Sequence, residues 1–393
     1  MRKYIIPILF CLTEISFASS FDALVDSVID NNPSLKSSDL QMKSEIYDAK
    51  SENMLSAPEA EFEYLWGRHD AGYKLNAGIT QEFDWPGIYS ARNKAIKTKS
   101  RALQYLRASN EMEKRLEIKL LYIDIIHNKK NKAILQERMD IMDQLIEKYA
   151  RGVALGQLSR IDLNKLKIEN IRLKNSMTTL DSEAQVLRSS LDKLNGGKPC
   201  QNIIDLLNEY PDEIILPVEE YDRLLADADP MAKYSESLTE SQRYSIKAEK
   251  MTRMPGFSLG YHHSVEGGEV FNGLSVGIKL PSFSSRNKIK AAEAVSESLL
   301  YEQDMIKVEK RAEMIANRNN SVELLKKYSE YKSVMKNDDS ISQLQKSLDA
   351  GEISIIDYLA EMDFFMVAAQ EMLQLEYDYM IAVTNLNKYK LLR

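Results

Sequence analysis

Cysteine is nearly absent from this chain of 393 residues: Cys11 and Cys200 are the only two. If Cys11 leaves with an N-terminal leader, Cys200 has no partner. No internal disulfide framework can then stabilise the fold, and packing or assembly must do so. Histidine is also scarce, and no H-E-x-x-H or phosphate-binding loop occurs, so neither metal hydrolysis nor an energy source of the chain's own is indicated. No proline or glycine falls between Tyr89 and Ala150 or between Ser284 and Ala350, which leaves room for long uninterrupted helices. There is no basic block within a net charge of −7, and nucleic acid is not an expected partner. The longest apolar run, Tyr4 to Leu12, is too short to cross a bilayer as a helix. Arg2 and Lys3 precede it and small residues follow it. This is the pattern of a signal peptide over residues 1–20, cleaved after Ala18 or Ser20. Cys11 invites a lipoprotein reading, but Ile8-Leu9-Phe10 lacks the small residues expected before a lipidated cysteine.

What the chain does contain is an internal repeat. Asn32-Pro33 is echoed by Asp229-Pro230 and Pro58 by Pro255, both 197 residues on. Pro86 returns as Pro281 at 195, Arg92-Asn93-Lys94 as Arg286-Asn287-Lys288 at 194, and "GQLSRIDL" from Gly156 as "GEISIIDY" from Gly351 at 195. Landmarks that keep their order with so little drift indicate a tandem duplication. The expected boundaries are 21–197 for the first repeat, 198–220 for a linker and 221–393 for the second repeat.

Each repeat reads as helix, hairpin, long helix, turn, helix. Ser34 to Met54 has helical composition, and Pro58 is expected to end it. Hairpins are expected at about 58–85 and 255–280. In the first, Ala60, Phe62, Tyr64 and Trp66 alternate with Glu59, Glu61 and Glu63; then Tyr73, Leu75, Ala77, Ile79, Phe83 and Trp85 oppose Glu82 and Asp84. From Tyr89 to Ala150 there is no proline or glycine, and 62 residues at 1.5 Å each would reach ~93 Å. Ser284 to Ala350 is expected to form a comparable helix. After the glycine turn, Leu163, Leu166, Leu173, Met177, Leu180, Ala184, Leu187, Leu191 and Leu194 hold heptad positions, broken only by Asn170.

Two-faced strands of about ten residues in an exported chain have the period of a membrane β-barrel. Four strands cannot close one, because the smallest such barrels have about eight, and an open edge in lipid leaves backbone groups unpaired. The chain must therefore oligomerise: a dimer supplies eight strands, a trimer twelve. Charged helices of ~93 Å do not fit a ~30 Å hydrocarbon layer, so they are expected in an aqueous compartment.

"DNNPSLKSSDLQMKSEIYDAKSENMLSAPEAEFEY", "QEFDWPG", "YARGVALGQLSRIDL" and the duplicated order resemble the TolC-like outer-membrane efflux proteins over essentially the whole mature chain. The resemblance implies a mainly α fold with a small membrane β part, a homotrimer whose twelve strands form one barrel in outer-membrane lipid, and a long periplasmic α-helical barrel. It implies a passive, non-enzymatic exit duct without cofactor or metal, served by a periplasmic adaptor protein and an inner-membrane RND or ABC transporter. Pro58, Pro86, Pro255 and Pro281 would then mark the junctions between strands and helices. Glu59, Glu61, Glu63, Glu82 and Asp84 would face the barrel lumen. The turns bearing Gly152, Gly156, Leu158, Ser159 and Asp162, and Gly351, Ile353, Ser354 and Asp357, would form the adaptor-docking tip. A periplasmic adaptor or structural coiled coil would share the helical hairpins but not the paired amphipathic strands.

Several residues suggest other chemistry. "GLSVG" matches G-x-S-x-G, yet Ser275 falls within an alternating strand with no helix following at once. His262 and His263 are adjacent and should face opposite sides of a strand, which argues against one shared metal site. His127 and Met362, Met366, Met372 and Met380 sit in helical patterns and read as packed residues.

Overall fold

The computed structural model describes residues 17–68, 72–280, 285–335 and 340–391. The elements in chain order are α1 (Phe17–Ile29), α2 (Pro33–Glu52), β1 (Glu59–Trp66), β2 (Tyr73–Phe83), α3 (Pro86–Ala154) and α4 (Arg160–Leu194). They continue with α5 (Gln201–Leu206), α6 (Val218–Ala228), α7 (Pro230–Met251), β3 (Gly256–Glu266), β4 (Glu269–Lys279), α8 (Ser285–Met335), α9 (Ser340–Asp349) and α10 (Ile355–Leu386). The chain is thus mainly helical with one small antiparallel sheet, the fold class expected. α2 stops at Glu52, six residues before Pro58, which instead directly precedes β1. The long second-repeat helix is described as α8 and α9, with 336–339 outside the described residues. The expected signal peptide falls largely outside them too. No described helix is long and apolar enough to cross a membrane.

The chain divides into two compact units, each built from segments of both expected repeats. One comprises Leu35–Asn110 and Ala226–Arg311 and contains the whole sheet. The strands run in the order β1-β2-β3-β4, all antiparallel, so the outer edges of β1 and β4 have no partner strand among the described residues. Among the helices of this unit, Arg107 pairs with Asp39 (2.7 Å), Lys99 with Glu45 (3.2 Å) and Lys250 with Glu293 (2.8 Å). Helix α7 begins where Asp229 Oδ1 accepts from Met231 N at 2.9 Å and Pro230, which has no N–H to satisfy, takes the first helical position. It packs through buried Ser235, Ser237, Thr239 and Ser241, and Ser241 Oγ donates to the Ala95 carbonyl at 2.9 Å. Such short side chains let helix backbones approach closely while satisfying their own hydroxyls.

The other unit comprises residues up to Ser34, Glu111–Leu225 and Ala312–Arg393. Its main core cluster joins α3 (Leu135, Met142, Leu145, Tyr149), α4 (Leu163, Leu166, Leu173), α9 (Leu348) and α10 (Ile355, Tyr358, Met362, Met366). Leu163, Leu166, Leu173 and Leu191 of the heptad seam are buried, as is the interrupting Asn170, whose Nδ2 donates to Asp143 Oδ1 at 2.6 Å. A second cluster holds Ile123, Tyr379, Met380 and Val383. The linker is pinned beside it: Asn387 Nδ2 donates to Glu213 Oε2 (2.6 Å) and Tyr379 Oη to the Glu213 carbonyl (3.1 Å). The lone buried Cys200 sits at the start of α5, where burial pushes its thiol up to about 11, too high for a reactive thiolate.

Candidate functional site: a two-faced sheet and two glycine turns

The register sorts the sheet into two faces, because residues opposite one another project to the same side. Glu63, Asn76 and Ser264 are aligned, as are Glu59 and Thr80, Glu61 and Gly78, Gly78 and His262, and Glu82 and Ser258. Four of the five expected lumen carboxylates therefore share one face. They are not equivalent. Glu63 accepts from Asn76 at 2.7 Å, and Lys279 bridges to Glu82 at 2.9 Å. Lys74 and Glu266 pair at 3.2 Å on the same side; Glu59 makes no direct ion pair but lies within electrostatic reach of Lys279, and the Glu61 carboxylate makes no ion pair or hydrogen bond among the described residues. Asp84 lies one residue beyond β2 and is held by Arg92 of α3 at 3.3 Å.

The opposite face carries Phe62, Tyr64 and Trp66, then Tyr73, Leu75 and Ile79, then Phe257, Leu259, Tyr261 and Val265, then Leu274, Val276 and Ile278. Its large side chains are left bare: Phe62 is 71% exposed, Trp66 79% and Leu274 87%. Aromatic residues gather at both ends. Tyr64 stacks on Tyr73 (5.8 Å) and lies 6.3 Å from Trp66 near the first hairpin turn; Trp85 lies 6.0 Å from Phe257 at the other end. The adjacent histidines do separate: His262 Nε2 is 2.9 Å from Ser275 Oγ on the polar face, and His263 Nδ1 is 2.8 Å from Asn272 Oδ1 on the apolar one. The His262–Ser275 contact was not legible from sequence. It does not make a nucleophile elbow, because Ser275 lies in the middle of β4 rather than on a strand-to-helix turn. Among the described residues no three His, Cys, Asp or Glu side chains are grouped to hold a metal ion.

Pro58 and Pro255 each precede the first residue of a strand, Pro86 is the first residue of α3, and Pro281 lies outside the described residues. The two glycine turns have one geometry. Gln157 N donates to the Gly152 carbonyl (2.9 Å) and Gly156 N to that of Val153 (3.0 Å); Glu352 N donates to Ser347 (2.9 Å) and Gly351 N to Leu348 (3.1 Å). Both are Schellman motifs, with Gly156 and Gly351 at φ +74°. Ser159 and Ser354 then cap the returning helices. Ser354 and Asp357 form a reciprocal capping box, whereas Asp162 lies 3.4 Å from Lys165. Gly152 has a steric role: a Cβ there would lie 2.4 Å from Leu158 Cδ1, so Leu158 folds over the helix end and is only 39% exposed. Ile353 is half-buried against the core cluster. The residue that stands out most at the first turn is Leu155, 72% exposed, which the repeat pattern did not single out because its counterpart is Ala350.

No protein-family model matches the chain, and no curated protein sequence matches it. Its fold is that of outer-membrane channels of known structure. Superposition on the channel CmeC of Campylobacter jejuni gives a TM-score of 0.71 at 15% identity, covering 94% of this chain and 85% of that one. The open-state channel MtrE of Neisseria gonorrhoeae gives 0.74 at 14%, covering 95% and 88%. CusC, whose structures concern folding and transmembrane channel formation, gives 0.77 at 13%, covering 94% and 92%. At such identities the likeness is one of fold.

Proposed function

We propose that this chain is the outer-membrane exit duct of a tripartite efflux system, a passive channel rather than an enzyme. Three copies join β4 of one to β1 of the next and close a twelve-stranded barrel in outer-membrane lipid. The helices continue the duct into the periplasm, where a periplasmic adaptor docks and an inner-membrane RND or ABC transporter supplies the energy. The two expected repeats each contribute one hairpin and one glycine turn.

The observation that carries this reading is the sheet, with a bare apolar face bounded by aromatics, a polar face opposite, and two unpartnered edges. From Tyr73 to Phe83 there are ten steps, ~34 Å along the strand. At the tilt of about 40° usual in such barrels this gives a band ~26 Å high, against the ~25 Å apolar band of outer-membrane barrels. A water-soluble adaptor has no use for such a face.

The apolar crest at Leu155 and Leu158 supports adaptor docking at the first turn. Membrane fractionation and mass measurement of the detergent-solubilised complex should give an outer-membrane trimer. A soluble or monomeric chain would refute the duct. Leu155→Asp, which spares the Gly152–Leu158 contact, should leave the trimer intact but abolish adaptor cross-linking and efflux; unchanged efflux would remove this turn from docking.

A further inference from the structure

The expected linker at 198–220 carries a surface that the duct does not use. Residues 199–222 contain seven aspartates and glutamates and no lysine or arginine. The cations of neighbouring elements reach this stretch from its inner side and are engaged there. Lys129 Nζ donates to the carbonyls of Ile204 (2.6 Å) and Leu207 (2.9 Å), and Arg318 Nε donates to that of Leu216 (3.1 Å). Lys130 pairs with Glu376 at 2.9 Å and Glu209 at 3.5 Å, and the buried Lys119 lies 3.9 Å from Glu213. Asp212 makes no ion pair or hydrogen bond among the described residues, so the outward side stays acidic.

Residues 211–217 form no helix, turn or bend, and their exposure alternates: Asp212 and Ile214 are exposed, Glu213 and Ile215 half-buried. That is the pattern of one extended strand lying on the unit. Ile215 packs against the second core cluster, while Ile214 is left 65% exposed. In an extended chain the N–H and C=O of one residue point to the same edge, and those of the next residue to the other. The edge of Ile214 and Leu216 is occupied by side chains. Asn387 Nδ2 and Arg318 Nε donate to their carbonyls, and Leu216 N donates to Tyr221 Oη, each at 3.1 Å. On the other edge Tyr379 Oη donates to the Glu213 carbonyl, but Glu213 N, Ile215 N and the Ile215 carbonyl make no hydrogen bond among the described residues. Pro211 and Pro217 stand at the two ends and confine any ladder to the five residues between them.

We propose that this edge docks an extended segment of a second protein, added as a strand, with lysine or arginine opposite Asp212 and an apolar residue opposite Ile214. In strand addition the backbone ladder supplies affinity and alternate side chains choose the partner. A basic segment finds no competing cation along the linker, whereas an acidic one meets like charge. The inference goes beyond the duct reading and draws on neither the barrel nor the glycine turns.

The test adds the capped peptide Lys-Thr-Val-Thr-Lys to the full chain in detergent at about a millimolar, where even weak binding populates the complex. Hydrogen exchange at the Glu213 and Ile215 amides should slow severalfold, while the Leu216 amide, already bonded to Tyr221, should change little. Methylating both threonine nitrogens of the peptide removes the ladder donors but keeps the charge, and should abolish the protection. The peptide Glu-Thr-Val-Thr-Glu, or Ile214→Asp in the chain, should each weaken it severalfold. No slowing at either amide with the lysine peptide, or slowing that survives methylation, overturns the proposal. Mass measurement on the same sample keeps the two readings apart: an intact trimer without protection overturns the linker site alone, and a monomer overturns the duct.

Discussion

Replacing Gly156 or Gly351 isolates a backbone effect at the two turns. Both have φ +74°, and a Cβ built on either meets no atom within 4 Å. Alanine therefore introduces no clash, only the penalty of the left-handed region, about 1–2 kcal/mol for an ordinary L-residue. Asparagine enters that region more readily, because its short polar side chain hydrogen-bonds locally. The expected order of turn stability is Gly, then Asn, then Ala, with Gly to Ala spanning a factor of roughly 5–30 in the local opening equilibrium. The reporters are the amides of Gln157 and Glu352, each bonded at 2.9 Å across the motif. Their hydrogen exchange in the assembled protein should accelerate by about that factor in the alanine variants and by less in the asparagine ones, provided opening is local. Gly152→Ala is the contrasting control: its φ is ordinary, but the new Cβ would press on Leu158, so Leu158 should be displaced and the effect should vanish in Gly152→Ala with Leu158→Ala. If alanine at 156 or 351 leaves exchange unchanged, or asparagine is as disruptive as alanine, the assignment of these glycines to a conformational role is wrong.

Two further outcomes are expected. The His127 ring lies 4.3 Å from Tyr377, its Nδ1 is buried without a partner, and burial lowers its basicity despite the nearby carboxylates of Asp124, Asp378, Glu183 and Glu376. A folded-state pKa below the unfolded ~6.5 means the unfolded chain binds the proton first, so stability present above pH ~6.5 is lost as pH falls below it. His127→Phe keeps the ring contact and should flatten the denaturation profile just below about pH 6.5; Asp124, whose carboxyl is raised by burial, acts in the opposite sense in both proteins. An unchanged profile would refute the assignment. In the sheet, Glu59→Gln with Glu61→Gln removes two carboxylates that make no direct ion pair, and should reduce cation preference in single-channel reversal potentials more than Glu82→Gln with Lys279→Gln, which removes a balanced pair. Equal effects, or an anion preference in the parent, would mean that this face does not line the pore.

Local periodicity was enough to locate the hairpins, the long first helix and the glycine turns, because each is written in near neighbours: alternation at period two, uninterrupted helix formers, a glycine followed by a capping serine. What periodicity cannot state is which charge meets which. Glu82 and Glu59 look alike in sequence, yet Lys279, 197 residues from Glu82, bonds directly to Glu82 and reaches Glu59 only at longer range. Leu158 and Ile353 occupy matching positions in the repeat, but Gly152 lets one fold over a helix end while the other packs against the main core cluster, leaving Leu155 to form the crest. The heptad seam named the buried side of α4, but not the residues of α3, α9 and α10 that share its core. Chain-local patterns determined the elements because backbone geometry depends on a few adjacent residues. Tertiary structure decided the partners, because burial and ion pairing depend on residues that the fold brings together from afar.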